Sequence, residues 1–112
     1  MKEIKAYVRT EKAAEVLSAL AEAGAPHSTV THVLAIGAGT DPVDSQASIE
    51  FGRTVNRMIK LEIICTDKHA SHLVEVIKGS ARTGRTGDGI ISVRNVNRLI
   101  KILSGAESAD AL

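Results

Sequence analysis

The chain has few aromatic residues, a single cysteine and almost no net charge. Its 112 residues include no Trp, one Tyr, one Phe and one Cys, and 14 basic residues are balanced by 13 acidic ones. One cysteine excludes an internal disulfide, so we expect a reducing, cytoplasmic setting. Two aromatic side chains are too few to stack nucleic-acid bases, and the balanced charge offers no basic surface, so we expect no nucleic-acid partner.

Long hydrophobic runs are absent as well. No uninterrupted apolar stretch approaches the roughly 18 residues that a membrane-spanning helix needs. We therefore expect neither membrane insertion nor a signal peptide. A length of 112 residues with 44% hydrophobic residues suits one globular domain over 1–112, large enough for a single core.

Hydrophobic periodicity predicts two copies of a strand–helix–strand unit. Apolar residues alternate over 4–8, recur at helical spacing over 13–20 and alternate again over 28–36. The pattern repeats as a strand over 59–65, a helix that Asp67 is expected to cap, and a short strand over 90–93. Two such units in tandem predict an α+β, ferredoxin-like sandwich, with both helices on one face of an antiparallel sheet.

Two segments lack such a pattern. Residues 37–56 have no helical or strand period and are rich in turn residues, including Gly37, Asp41 and Pro42. A connection of about twenty residues in a compact domain is either functional or a tolerated insertion. We predict a flexible loop here, with a short helix near 48–52 as an alternative, and a frayed polar tail over 104–112.

A glycine-rich segment over 82–90, called here the glycine loop, is the most informative stretch. It places Gly84, Gly87 and Gly89 beside Arg82 and Arg85. Glycines let the backbone approach a ligand and direct its amides to one point, an arrangement that suits a phosphate. No Lys-Ser/Thr pair follows, so this is not the P-loop of an ATPase. We predict a loop that holds a nucleotide without hydrolysing it, and no catalytic residues.

Over nearly its whole length the chain resembles the PII signal-transduction proteins, the nitrogen regulatory family. The resemblance rests on Met1-Lys2-Glu3-Ile4-Lys5-Ala6, on Lys60-Leu61-Glu62-Ile63-Ile64, and above all on Ala81-Arg82-Thr83-Gly84-Arg85-Thr86-Gly87-Asp88-Gly89. It implies a homotrimer that binds an adenine nucleotide (ADP, AMP or ATP) between subunits. It also implies a sensor of energy or metabolic state, not an enzyme, whose long loop docks onto a membrane transporter or a metabolic enzyme.

The resemblance further implies which residues act. The implied nucleotide-binding residues are Thr29, Gly37, Ile64, Arg82, Thr83, Gly84, Arg85, Gly87, Asp88, Gly89 and Lys101. The implied partner-docking residues of the long loop are Thr40, Asp41, Asp44, Ser45, Gln46 and Phe51. Lys101 stands where the family usually has a phosphate-binding arginine, which keeps the charge but loses bidentate geometry.

Two departures from the family pattern concern the phosphates. Ile90 replaces a lysine that usually reaches the terminal phosphates, and Leu103 replaces a common second arginine. A hydrogen bond to a charged group contributes about 1.5–3 kcal/mol, so the two losses would weaken triphosphate binding roughly 10²–10⁴-fold. We therefore predict a preference for ADP or AMP over ATP, unless Arg82, Arg85 or Arg98 compensates.

Three further departures concern regulation. Phe51 replaces a tyrosine that is uridylylated in many members and has no hydroxyl to modify. Gly39 and Met58 replace residues that serve 2-oxoglutarate, so we do not expect 2-oxoglutarate sensing. The pattern is that of a divergent PII-like branch.

A metal site is the remaining alternative. Cys65, His69 and His72 have spacing that can bind a soft divalent cation, and a trimeric metal-responsive protein of the divalent-cation-tolerance kind shares the predicted fold. A lone cysteine on a strand is more commonly a small buried hydrophobe, and such a protein leaves the glycine loop unexplained. We therefore predict no metal site.

Overall fold

The computed structural model describes residues 1–37 and 39–112 and confirms the predicted α+β, ferredoxin-like architecture. Its helices and strands are β1 Lys2–Arg9, α1 Ala13–Glu22, β2 Thr29–Ile36, β3 Gln46–Ser48, β4 Arg53–Cys65, α2 Asp67–Ala81 and β5 Gly89–Asn95. The strands form one antiparallel sheet in the order β2-β4-β1-β5, and the short β3 adds to β4. A 3-10 turn over Thr10–Lys12 leads into α1, and another lies at Ser108–Ala111.

The core lies between the two helices and one face of the central strands. Ile4, Ala6 and Val8 of β1 pair with Ile63, Leu61 and Ile59 of β4, so all six side chains project toward the same helix-covered face. The helices complete this core with Val16, Leu20, Leu73 and Ile77, which are all fully buried. The alternating and helical periods of the sequence thus point to the same buried surface, which fixes the frame.

Cys65, at the end of β4, belongs to this core. Its side chain is buried, and the burial raises the pKa of the thiol. Such a cysteine behaves as a small hydrophobe, as the strand pattern indicated.

The segment 37–56 holds more regular structure than predicted. β4 begins at Arg53, six residues before the predicted start, and β3 pairs with it through Gln46↔Val55 and Ser48↔Arg53. The alternative of a short helix near 48–52 is wrong, because a turn containing Gly52 at φ +62° connects the two strands. Most side chains of this hairpin are exposed, so burial does not impose the hydrophobic alternation that would reveal it.

Two end effects also differ from expectation. Helix α2 has Thr66 as its N-cap, and Asp67 is its first helical residue, with its carboxylate 2.8 Å from the amino group of Met1. That ammonium lowers the pKa of Asp67.

The expected frayed tail folds back, with a β-bridge between Ile100 and Glu107 ahead of the last 3-10 turn. Within the described residues no helix combines the length and hydrophobicity needed to cross a bilayer.

We predict that Gly89→Ala strongly destabilises the protein. Gly89 has φ +107°, and a Cβ there would overlap the carbonyl oxygen of Tyr7 on the paired strand β1. Backbone strain and overpacking together predict a loss of about 2–6 kcal/mol in the free energy of unfolding, measured by urea denaturation.

Gly79→Ala is the matched control. Gly79 lies in α2, has an ordinary φ and has open space around the added methyl. Alanine should stabilise the helix there by about 0.5–1 kcal/mol. Equal effects of the two substitutions would contradict this account of Gly89.

Candidate functional site

A buried guanidinium joins three separate segments at one end of the sheet. Arg9, the last residue of β1, is only 3% exposed. Its Nη1 donates hydrogen bonds to Asp41 at 2.7 Å and Asp44 at 3.0 Å, and its Nε donates to Asp88 at 2.9 Å. Its Nη2 donates to the carbonyl of Thr86 at 2.9 Å. We call Arg9 and the three aspartates the Arg9 cluster.

The members of the Arg9 cluster stabilise one another's charged forms. Burial by itself lowers the pKa of Arg9, but hydrogen bonds to Asp88 and Asp41 outweigh it and raise that pKa. The amide of Val43 and then Arg9 hold the pKa of Asp41 below its usual value, although burial opposes them. Burial also opposes ionisation of Asp88, yet hydrogen bonds from Thr83 and Arg9 bring its pKa far below the usual range. These three groups therefore remain charged at neutral pH.

Asp88 shapes the glycine loop from inside. Its Oδ2 accepts hydrogen bonds from the amides of Thr83 and Gly84, both at 2.9 Å, and its Oδ1 accepts one from the Thr83 hydroxyl. The amide of Arg85 donates to that same hydroxyl oxygen at 3.2 Å. The amides of residues 83–85 are therefore occupied by the chain itself.

The next two amides of the glycine loop have no such partner. In the part of the chain that the structure describes, the amides of Thr86 and Gly87 have no protein acceptor. Unpaired amides of this kind are suited to an anion.

Two of the glycines are required by the chain's own packing. A Cβ at Gly87, which has φ +97°, would lie 2.7 Å from the backbone nitrogen of Asp41. Gly89 is similarly pressed against Tyr7, whereas Gly84 needs glycine only for its φ of +88°. From the sequence alone, we expect these glycines to let the backbone approach a ligand. In the structure, Gly87 and Gly89 also let the backbone approach another segment of the same chain.

A cleft of about 1180 Å³ opens beside the Arg9 cluster, and we call it the first cleft. The glycine loop contributes Arg85, Gly87, Asp88, Gly89 and Ile90 to its wall. The end of β2 and an anchor loop, defined here as residues 39–45, contribute the opposite wall. Of the other implied nucleotide residues, Gly37, Arg82, Thr83 and Gly84 lie in the chain segments that border this end of the sheet.

A second cleft of about 970 Å³ lies at the other end of the sheet. It is lined by Thr29, Ile64 and Lys101, the remaining implied nucleotide residues. Thr29 and Ile36 mark opposite ends of β2, seven residues or about 23 Å apart. One protomer therefore cannot bring the two groups of residues together.

The second cleft holds one group that sequence reasoning missed. The hydroxyl of Ser28 is buried and has no hydrogen-bond partner among the described residues. A buried polar atom of this kind calls for an explanation, and a ligand is one.

The implied docking residues divide into an anchored set and an exposed set. Asp41 is only 4% exposed, and its carbonyl accepts hydrogen bonds from Ser45 at 2.8 Å and Asn56 at 2.9 Å. The Thr40 hydroxyl donates to Gly37, and Gln46 belongs to β3. Asp41 thus stabilises the base of the loop and is not presented to a partner. Phe51 and its neighbour Ile49 are exposed at the hairpin turn.

Sequence reasoning also missed Arg9 and Asn56 as residues of this site. Arg9 occupies a polar position of the β1 alternation, which gives no sign of burial. The signal that could have pointed to Arg9 is the acids at 41, 44 and 88, because three carboxylates brought together in a fold need a cation.

The residues considered for a metal are engaged elsewhere. The Nε2 of His69 lies 2.9 Å from the carbonyl oxygen of Ala23, and its ring stacks on His72 with centroids 6.1 Å apart. No group of three metal-ligating side chains occurs among residues 1–37 and 39–112.

We predict that the Arg9 cluster makes the protein acid-sensitive. Because the folded-state pKa values of Asp41 and Asp88 are lowered, their stabilisation is complete above about pH 4, the ordinary aspartate pKa, and is lost as pH falls below it. The free energy of unfolding should decrease from pH 5 to pH 3 more steeply in the unsubstituted protein than in Asp88→Asn, as measured by urea denaturation. Asp110→Asn, which changes an exposed tail residue, should retain the steep slope. Parallel slopes for all three proteins would refute the role of the cluster.

Comparison with known proteins agrees with this architecture. The family described as Nitrogen regulatory protein P-II matches residues 1–106. The chain is 34% identical over 112 residues to a nitrogen regulatory protein P-II of Rhizobium meliloti and 33% identical to one of Pasteurella multocida, with full coverage of both chains in each case. It is 35% identical to a nitrogen regulatory protein P-II 2 of Methanothermobacter thermautotrophicus, covering all of this chain and 97% of that one. The chain belongs to the P-II family of nitrogen regulatory signalling proteins.

Proposed function

We propose that this protein is an adenine-nucleotide sensor whose binding site forms where two copies of the chain meet. The separation of the implied nucleotide residues into two clefts at opposite ends of the sheet supports this proposal most directly. In a cyclic trimer, the first cleft of one protomer would face the second cleft of the next, and three equivalent sites would result. The protein then acts as a regulator in the cytoplasm and not as an enzyme.

The two clefts offer complementary chemistry for a nucleotide. The first supplies the amide of Gly87 and the guanidinium of Arg85, which suit phosphates, and the amide of Thr86 lies between them in the chain. The second supplies the apolar Ile64 and the hydroxyl groups of Ser28 and Thr29, which suit a base, and the ammonium of Lys101.

The charge of the site favours a short phosphate chain, so the proposed ligand is ADP or AMP in preference to ATP. Ile90 lines the first cleft and is largely exposed, so no lysine charge is available at that position. Leu103 is almost fully exposed and equally uncharged. Of the three arginines that could compensate, Arg85 lines the first cleft, whereas Arg82 and Arg98 do not, and Arg98 pairs with Glu107 at 2.7 Å.

The regulated partner would bind the exposed hairpin. Ile49, Phe51 and Val43 present apolar surface away from the core, while the Arg9 cluster holds the base of the same segment. A membrane transporter or a metabolic enzyme is the proposed class of partner, and the nucleotide state would control docking through the anchor loop.

Subunit complementation tests whether the site is shared. Ile90→Glu places a carboxylate in the first cleft and Lys101→Glu places one in the second, and both positions are exposed enough for the fold to tolerate them. Each variant alone should fail to bind ADP in calorimetry, because the carboxylate repels phosphate. In trimers refolded from an equal mixture, about one quarter of the seams should contain two unsubstituted clefts and bind ADP again.

Light scattering provides the control for that experiment. It should find trimers for each variant and for the mixture, so that any lost binding reflects the site and not the assembly. Mixed trimers without recovered binding would exclude a shared site, and a monomer in solution would exclude it as well.

Restoring one charge should change the nucleotide preference. In the unsubstituted protein, calorimetry should find ADP or AMP tighter than ATP. Ile90→Lys should raise the affinity for ATP relative to ADP by roughly 10–100-fold, because a charged hydrogen bond to the terminal phosphate contributes about 1.5–3 kcal/mol. Ile90→Met, of similar length but uncharged, should leave the order unchanged. Tighter binding of ATP by the unsubstituted protein would refute the proposed preference.

A further inference from the structure

Two arginines share the acids of the Arg9 cluster, but they hold them differently. Arg9 is buried and makes hydrogen bonds of 2.7–3.0 Å. Arg85 is 50% exposed, and its nitrogens lie 3.6 Å from Asp41, 3.9 Å from Asp44 and 3.9 Å from Glu11. At these distances Arg85 forms ion pairs with the acids but no hydrogen bonds. Exposed pairs of this kind contribute little, so Arg85 can leave them at small cost.

Asp41 keeps its hydrogen bonds without Arg85. Its Oδ1 accepts the amide of Val43 at 2.9 Å and its Oδ2 accepts Arg9 at 2.7 Å, so the carboxylate is satisfied without a second arginine. Asp44 is in a different position. It is 45% exposed and accepts one hydrogen bond, at 3.0 Å, from the Arg9 nitrogen that also serves Asp41.

The charges around Arg9 make Asp44 the group that responds. With Arg85 in place, two guanidinium charges face the three carboxylates at 41, 44 and 88. If Arg85 moves away, Arg9 alone faces all three carboxylates, and they repel one another more strongly. Asp44 is the least buried of the three, so it is the one that this repulsion displaces. A phosphate in the first cleft would add further negative charge near the same carboxylate.

Arg85 is also placed to meet a phosphate. Its backbone is fixed by the hydrogen bond to Thr83, and its side chain lines the first cleft next to the unoccupied amides of Thr86 and Gly87. Its planar fork of donors matches phosphate oxygens. Ile90, on the same wall, offers no competing cation.

We propose that Arg85 binds the phosphates of the nucleotide and thereby releases Asp44, so that this one side chain transmits occupancy of the first cleft to the anchor loop. The inference rests on the proposed function for the identity of the ligand. Asp41 stays bound to Arg9, so residues 43–48 move and the chain before Asp41 does not. Arg9 is the fixed anchor of this device and Arg85 its movable part.

Hydrogen exchange measured by mass spectrometry, with calorimetry alongside, tests this coupling. Saturating ADP should raise amide exchange over residues 43–48 in the unsubstituted protein. In Arg85→Gln, ADP affinity should fall roughly 10–100-fold, and exchange over 43–48 should be high with or without ADP. Asp44→Asn should give the same high exchange without ligand while retaining ADP affinity, because its phosphate-binding groups are intact.

Lys68→Gln is the control, because it also removes one positive charge. Lys68 is exposed in α2, lines neither cleft and has no acidic partner in the described part of the chain. It should keep the ADP-dependent rise in exchange. A rise that persists in Arg85→Gln, or ADP binding that leaves exchange over 43–48 unchanged in the unsubstituted protein, overturns the inference.

Inorganic pyrophosphate separates this inference from the proposed function. If calorimetry finds no binding of any adenine nucleotide, the proposed function fails by itself. Pyrophosphate then decides the coupling: a rise in exchange over 43–48 that disappears in Arg85→Gln supports it, and no rise overturns it.

Discussion

A guanidinium that leaves water loses several kcal/mol of solvation, and only a full set of hydrogen bonds offsets that loss. The carboxylates that accept hydrogen bonds from Arg9 are those of Asp41, Asp44 and Asp88, which lie 32, 35 and 79 positions further along the chain. Satisfying this one side chain therefore brings the end of β1, the anchor loop and the glycine loop to a common point. The hydrophobic core fixes the sandwich, and Arg9 fixes how the anchor loop and the glycine loop lie on its edge.

This constraint changes the meaning of the glycines. Because Arg9 draws residue 41 and the glycine loop together, Gly87 must pass the backbone of Asp41 closely. Gly89 approaches Tyr7 because β5 pairs with β1 there. Asp88 fills the first amides of the loop and leaves those of Thr86 and Gly87. The same short motif thus satisfies the packing of the chain and retains donors for an anion, so a glycine-rich segment alone does not distinguish structural from ligand-binding glycines.

The sandwich could be predicted because its strands and helices each bury one face, and burial imposes the period that the sequence displays. The β3–β4 hairpin could not, since its mostly exposed residues are under no such constraint. Arg9 also gave no local signal, because its partners are distant in sequence and periodicity describes only near neighbours. Resemblance to a family identified candidate residues, but it did not reveal that Asp41 is buried or that Arg98 is already paired.

The distribution of the candidate residues suits regulation. Arg85, in the first cleft, contacts the acids of the anchor loop. Lys101 lies in the second cleft, and its backbone amide donates a hydrogen bond of 2.8 Å to the carbonyl of Ala106 within the folded-back tail. In the proposed site, one nucleotide would therefore connect the loop of one protomer to the tail of its neighbour. A ligand shifts only those equilibria in which its contacts differ between states. A site built from segments of two chains can therefore report its occupancy to both.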